Sequence, residues 1–553
     1  MRYLIGTSYC DSLGFSLTFS EESGPHLTNN FITVQKKVLH NTRQERDKMS
    51  LDIPDEFDVT YERVEGIPVF KNYLDGKWEY ISEGLREISS PYNGSLIAKV
   101  PKTNSEVVER ALGSADKNRR KIRDVPAIER IELFEKAANI LRINEDIFVE
   151  TLISKAGKPR HNAKGEVNAT INRLEMVAEE ARKIFGEYVP GDWSEDTMQK
   201  MALVIREPIG VVLAISPFNY PLFITSAKVI PALLAGNSVV VKLPSADPVS
   251  FILFTRILEM AGLPSGALNV VTAGGKVIDE FIDDSRIGAI TFTGSTEVGR
   301  SISNKAAMKK LHLELGGNGA AIVLEGADLE LAAEKVVHGS LNFSGQRCDA
   351  ISRVIVQDSI AGDFVERVTG IAESKKAGDP SDDETVVGPL IDSEALAHVD
   401  ELVGDSVQRG AKITTGGKMD GGIYLPTVID MVPKDARIMR EETFGPVIPI
   451  HHVPDVESAI EVANDTNYGL DSCVFTNDIY DAWKVAKKLE DGEITINDSP
   501  SHGVGYFPFG GSKESGIGRE GIGYSIDEMT RLKTIVYNLA PAKLGKKRRI
   551  YVI

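Results

Sequence analysis

Cysteine is nearly missing from this chain: 553 residues hold three, Cys10, Cys348 and Cys473. So few, so scattered, exclude a disulfide framework and a closely spaced metal quartet, and the usage fits a reducing cytoplasm. Long apolar runs are missing too. The stretch GVVLAISPFNYPLF at 210–223 is broken by prolines, a serine and an asparagine, and a membrane helix needs eighteen or so unbroken residues. Positive charge is in deficit: 63 Lys+Arg against 80 Asp+Glu leave a formal charge of -17 and a pI near 5.2. That balance repels phosphate backbones and anionic membranes, so neither nucleic acid nor a membrane is an expected partner. The first 48 residues lack a hydrophobic stretch with a cleavage pattern and do not read as a signal peptide. Met49 opens a more ordinary start, MSLDIPDEFD; residues 1–48 are expected to be a start-site artefact or, second, a flexible leader.

What is present is a regular alternation. The length allows two to four domains. From about 126 to 185, apolar residues return every three or four positions, which predicts amphipathic helices. Residues 201–216 are β-rich. Thereafter a strand at 210–216 leads to a helix at 222–235, and single helices separate SVVVKL, ALNVVTA, IGAITFT and LHLEL. Short Val/Ile-rich strands joined by helices predict a parallel sheet covered on both faces, the geometry of nucleotide-binding domains. A second α/β block follows Gly316 and Gly317 and runs to about 528. RLKTIVYNLA near the end is a β segment too short to stand alone, and KLGKKRR reads as a solvated basic tail.

Five features carry candidate chemistry: Cys348 in SGQRCDA, Glu314 in LELGG, Asn219 in SPFNYP, Lys242 in VVVKLPS, and FTGSTEVG at 292–299. Each is weak alone. Cys473 in LDSCVFT has a strand-like setting and is expected to be a buried hydrophobe. Cys348 follows Gly-Gln-Arg, where the Arg347 guanidinium is expected to favour a thiolate. FTGSTEVG sits between strand and helix, where free N–H groups and the helix dipole can meet a pyrophosphate. The GxGxxG spacing of ordinary dinucleotide folds is absent there, so this turn alone leaves the cofactor open.

Together with REETFGPV at 440–447 and FPFGGSKESGIGREG at 507–521, these motifs resemble the aldehyde dehydrogenase superfamily from about residue 65 to 540. The resemblance implies an α/β fold: a Rossmann-type cofactor domain (65–185 and 207–315), an α/β catalytic domain (316–528) and a small β oligomerisation element (186–206 and 529–540). The basic tail at 541–553 lies beyond it. By the same resemblance, Cys348 attacks an aldehyde to give a thiohemiacetal, Asn219 and the cysteine N–H hold the oxyanion, and hydride leaves to a nicotinamide. Glu314 then activates water on the thioester; relatives that pass the acyl group to coenzyme A usually lack this base.

The resemblance further implies that Gly294, Ser295 and Gly299 serve the pyrophosphate, Lys242 the adenosine ribose, and Glu442 and Phe444 the nicotinamide end. Ser245 stands where an acidic residue would favour NAD, so NADP is expected to be preferred and NAD used second. Within the superfamily the chain is most similar to the archaeal-type non-phosphorylating glyceraldehyde-3-phosphate dehydrogenase group, which implies glyceraldehyde 3-phosphate as substrate. Tyr220 and Arg347 match two of that group's phosphate ligands. Ala169 and the pair Ser501-His502 stand where two arginines are expected, with Arg173, one turn beyond Ala169, and His502 as candidate substitutes. If they are not, an unphosphorylated aldehyde such as glyceraldehyde, lactaldehyde or succinic semialdehyde is implied. The competing class is a silent structural or ligand-binding homologue, against which the intact trio Cys348, Glu314 and Asn219 argues. A homotetramer in the cytoplasm, without a bound metal, completes the expectation.

Overall fold

A computed structural model describes residues 51–502 and 505–539. The leader at 1–48 and the basic tail at 541–553 lie outside the described residues. The described fold opens before residue 65: a short helical turn at Asp55–Thr60 buries Phe57, and Tyr61–Val64 pairs antiparallel with Ile67–Phe70.

The first large sheet has eight strands. Its centre is Val211–Ile215, flanked by Ser238–Lys242 and then Leu268–Val271 on one side, and by Ile287–Thr293 and then Lys310–Glu314 on the other. These five strands are parallel. The edges are not: Asn72–Leu74 and Gly516–Ile517 join antiparallel, so the sheet is mixed where the strand-helix alternation predicts a wholly parallel one. The strands alternate between two cores. Val212, Ala214, Val239 and Val241 point into one apolar cluster, while Val211, Leu213, Ile215 and Val240 point into the other. Burial on both faces is why these segments read as unbroken Val/Ile runs.

Strand order reverses at Val211–Ile215, since the chain winds first one way and then the other from it. Ligands of open α/β sheets bind in the crevice outside the carboxyl ends of the strands at such a switch point. Four candidate groups leave from those ends: Asn219 after Val211–Ile215, Lys242 closing its strand, Gly294 after Ile287–Thr293, and Glu314 closing Lys310–Glu314.

Residues 316–318 link this sheet to a second of seven strands, parallel except at the Lys412–Thr415 edge. In its interior Gly319–Val323 lies between Ile351–Gln357 and Asp471–Phe475. Cys473 sits on the latter, fully buried in an apolar cluster. The strands Glu187–Pro190, Lys200–Pro208 and Thr530–Asn538 form a third sheet. The two segments assigned to the oligomerisation element pair with each other inside the chain, from Thr530 opposite Pro208 to Asn538 opposite Lys200. Among the described residues no helix is long and apolar enough to cross a membrane.

Candidate active site

The helix Leu329–Leu341 ends in a turn whose next residues, Phe343, Ser344 and Gly345, all have left-handed backbone (φ 50°, 56° and 70°). Such a run is unfavourable for side-chain-bearing residues, by about 1 kcal/mol or more each. The surroundings hold it. A Cβ at 345 would lie 2.2 Å from the Gly445 carbonyl oxygen. The Ser344 hydroxyl donates to the Gly388 carbonyl (3.0 Å) and accepts from the Gly388 N–H, and the Gln346 side chain bridges Pro389 and Ile391. The strained turn delivers Cys348 to the lining of a pocket of about 390 Å³.

The glycines of LELGG explain how Glu314 comes near. A Cβ at Gly317 would stand 2.7 Å from the Cys348 carbonyl oxygen, and one at Gly316 would stand 2.8 Å from Glu442 Oε2. Without side chains there, the end of one sheet packs against the cysteine loop of the other. Glu314 and Cys348 then line the same pocket. Asn219 donates from Nδ2 to the Gln346 carbonyl at 3.0 Å, two residues before the thiol, and its Oδ1 accepts the Tyr220 N–H. The Cys348, Glu314 and Asn219 segments are therefore held together.

The electrostatics correct one expectation. Arg347 does not make the thiolate the favoured form. Its guanidinium is turned to Asp349 in a two-point pair, Nε to Oδ1 at 3.0 Å and Nη2 to Oδ2 at 2.9 Å. Burial, and then the charges of Asp349, Asp471, Glu314 and Glu442, push the Cys348 thiol well above its ordinary value. The thiol is thereby held toward its protonated form, so that ionising it calls for a base. Glu314 is suited to be one: burial raises its pKa, against the opposing pull of the His312 imidazole, whose Nε2 lies 3.3 Å from Oε1.

The substrate candidates separate. Tyr220, Arg347 and His502 line the pocket. Arg173 does not. It is buried and donates to Glu180 at 2.8 Å, so its expected reach into the site is not realised; Ala169 and Asn172 face the pocket instead. His502 packs its ring against Phe509 and Phe223 and lies 3.6 Å from Glu520, while its N–H donates to Asp349 Oδ2.

Several residues at the site give no sign of it in the sequence. Lys158 places its ammonium 3.7 Å from the Tyr220 ring centre, over the aromatic face, and pairs with the fully buried Glu166. Glu166 also accepts the N–H groups of Leu222 and Phe223 at 2.9 and 3.0 Å, capping the helix that follows Asn219. Lys228 meets Glu520 at 3.5 Å. Asp349 and Glu520 lie inside the motifs SGQRCDA and SGIGREG, where each is legible as a charge beside a cation; Lys158 and Glu166 have no local signal.

The cofactor candidates occupy a different end. Gly294 and Ser295 precede the helix Thr296–Lys305, and a Cβ at Gly299 would strike Leu315 at 2.3 Å, so that helix packs close to the sheet with its N-terminus at the crevice. Lys242 closes its strand, and Ser245 is exposed nearby. Glu442, raised to about 7 by burial, accepts the Gly317 N–H at 3.2 Å. Phe444 takes a left-handed backbone (φ 47°) and sets its ring edge-on to Phe218. Two cations without a carboxylate partner among the described residues, Lys242 and Arg86, fit an anionic nucleotide.

A thiol, a buried carboxylate and an amide donor, gathered where a nucleotide-type sheet reverses, define a cysteine-based, dinucleotide-dependent oxidoreductase. The chain belongs to the aldehyde dehydrogenase family, whose model matches residues 80–535. It is 40% identical over 473 residues to an NADP-dependent glyceraldehyde-3-phosphate dehydrogenase of Streptococcus equinus, covering 85% of this chain and 99% of that one. A lactaldehyde dehydrogenase of Methanococcus maripaludis is 37% identical over 471 residues, 84% of this chain and 99% of its own. Among solved structures, the NADP-dependent glyceraldehyde-3-phosphate dehydrogenase of Bacillus halodurans, complexed with NADP, superposes with a TM-score of 0.83 at 39% identity, covering 85% of this chain and 99% of that one.

Proposed function

We propose that this protein oxidises a three-carbon 2-hydroxyaldehyde to its carboxylic acid, with NADP as electron acceptor and a cysteine adduct as intermediate. Glyceraldehyde 3-phosphate and lactaldehyde, the substrates named for two relatives, share carbons 1 and 2 and differ at carbon 3. The thiol of Cys348 attacks the carbonyl carbon and gives up its proton, for which Glu314, with its raised pKa, is the acceptor in the same pocket. Charge arriving on the carbonyl oxygen is met by the second Nδ2–H of Asn219, the first being bonded to Gln346. Bound NADP would supply the acceptor for the hydride that leaves this carbon. Glu314, having released the thiol's proton to solvent, takes a proton from the water that attacks the thioester and passes it to the departing Cys348 sulfur, so that the acid leaves with the thiol restored. Lys242, Ser245, Gly294, Ser295, Gly299, Glu442 and Phe444 are the residues that would hold the cofactor; NAD, without the extra phosphate, is the weaker alternative.

The pair Arg347–Asp349 carries the choice at carbon 3. Among the described residues Arg347 is the one guanidinium lining the pocket, and it is already neutralised at two points, while Arg173 is committed elsewhere. That supports a neutral carbon 3, as in lactaldehyde or glyceraldehyde. The second reading is glyceraldehyde 3-phosphate, favoured by Tyr220 and Arg347 lining the pocket and by the 40% identical relative. A panel of these aldehydes, assayed with NADP and no inorganic phosphate, decides. Lactaldehyde or glyceraldehyde should exceed glyceraldehyde 3-phosphate in kcat/KM; a tenfold reversal selects the second reading, and dependence on inorganic phosphate would sink both.

The assembly we propose is a cytoplasmic homotetramer. Tyr188, Leu532, Val536 and Tyr537 expose 45–61% of their surface on the three-stranded sheet, which supports a further partner there. Light scattering that returns a monomer at micromolar concentration would overturn it.

A further inference from the structure

We propose that Arg86 is a specificity-determining residue of this enzyme, forming with Lys242 a two-cation clamp for the phosphate monoester on the adenosine ribose of NADP. The inference rests on the NADP reading above and adds to it a residue from outside the nucleotide sheet.

Arg86 lies on Leu85–Ser89, the edge strand of the small N-terminal sheet. Its Nε and Nη2 are buried and have no hydrogen-bond partner among the described residues. Burial lowers its pKa, and no carboxylate acts to restore it. Lys242 stands at the carboxyl end of the strand Ser238–Lys242, next to Val211–Ile215. Burial first, and then the charge of Arg86, lower its ammonium to about 8, again with no carboxylate contributing. Two largely buried cations thus lie within electrostatic range of each other, with no counter-ion from the described residues. Four other buried cations are paired with a carboxylate, Lys158 with Glu166, Lys228 with Glu520, Arg173 with Glu180 and Arg347 with Asp349, while Lys155 and Arg130 also keep a buried nitrogen without a hydrogen-bond partner among the described residues.

Like charges that lose solvent together destabilise the fold unless an anion joins them. The anion must be small, doubly charged and offer several oxygens, because a guanidinium fork binds two oxygens at once while an ammonium binds as a point charge. A phosphate monoester has that form. The exposed Ser245 three residues after Lys242 places a neutral hydroxyl, and not a carboxylate, beside the position. NAD has no such group and would leave both cations unpaired. The blander account is that Arg86 packs its stem along the hairpin and affects neither cofactor, or both alike.

Equilibrium binding of NADP and NAD to the full chain, measured calorimetrically without substrate, separates these accounts. Wild type should bind NADP more tightly than NAD and 2′-AMP more tightly than 5′-AMP. Arg86→Gln should weaken NADP roughly ten- to hundredfold and move NAD less than twofold; Arg86→Lys should fall between. Unchanged NADP affinity in Arg86→Gln, or an equal loss of both cofactors, overturns the clamp while the wild-type preference leaves the NADP reading standing. Equal binding of both cofactors by wild type sinks the NADP reading and the clamp with it. Should Arg86→Gln fail to fold, Arg86→Lys and the 2′-AMP against 5′-AMP comparison make the same distinction.

Discussion

In the substrate pocket Arg347 is met by Asp349, Lys228 by Glu520 at 3.5 Å and Lys158 by Glu166, whereas at the nucleotide end Lys242 and Arg86 have only each other among the described residues. Both regions bury charge, yet only one neutralises it internally. A buried ion pair fixes geometry and resists removal of either partner; an unpaired buried charge is a cost the chain carries until something binds. The substrate pocket has its own member without a permanent counter-charge, Glu314, which faces the His312 imidazole at 3.3 Å. Glu314 has both oxygens buried with no hydrogen bond of good geometry to the described residues. If this contrast holds, paired groups should report on stability and unpaired ones on chemistry or ligand binding.

The unpaired groups should give the largest effects. Cys348→Ala should cost about four orders of magnitude or more in aldehyde oxidation, with thermal stability close to wild type. Glu314→Gln should cost about 10²–10⁴-fold in steady-state turnover and leave folding intact. Because Glu314 is raised above the usual carboxylate range and must be ionised to act as a base, wild-type kcat should fall as pH drops through a value above about 4.3. In Glu314→Gln that acid limb should vanish. An acid limb that survives unchanged assigns it to another group.

Asn219→Ala removes an oxyanion donor and is expected to cost about 10²–10³ in kcat. A rise in KM alone would mean that Asn219 only positions the Gln346 turn. The paired group Lys228 should behave in the opposite way. Lys228→Met strands the Glu520 carboxylate in the interior and should cost about 3 kcal/mol in denaturant unfolding. Burial alone would raise Glu520, but Lys228, with His502, holds it below the ordinary carboxylate range. Its contribution is therefore present above the unfolded carboxylate pKa and lost as pH falls through the lower, folded one. Without Lys228 that loss should begin at a higher pH. A variant as stable as wild type would remove the distinction between paired and unpaired charge.

This contrast is only half legible in the sequence. The strands of the first sheet and the turn at Gly294 follow from hydrophobic runs and turn residues that act over a few positions, whereas the trio of Cys348, Glu314 and Asn219 is legible only through the resemblance of its motifs to a family. Charge pairing does not. Helical spacing puts Arg173 above Ala169 and so near the pocket, but a buried Glu180 seven residues on turns it away. Arg347 has the sequence position of an activator of its neighbouring thiol, yet its partner is the next residue but one. Arg86 comes from a hairpin more than 150 positions before Lys242, a distance over which no local pattern operates.

Asp349→Asn tests the smallest and most specific effect, because it removes one charge and keeps an oxygen able to accept the His502 N–H now 3.2 Å away. Two consequences should appear together. The freed Arg347 guanidinium gains a vacancy for an anion, and a charge-assisted pair of this kind is worth about 1.5 kcal/mol or more. KM for glyceraldehyde 3-phosphate should then fall about tenfold while that for lactaldehyde stays put. Asp349 is also, after burial, the foremost charge raising the Cys348 thiol, so the pH dependence of iodoacetamide alkylation should shift to lower pH. A lower thiol pKa with no gain for the phosphorylated substrate would show that Arg347 faces the cysteine and not carbon 3. A gain for both aldehydes alike would mean that Asp349 restrains the nucleophile and has no part in telling substrates apart.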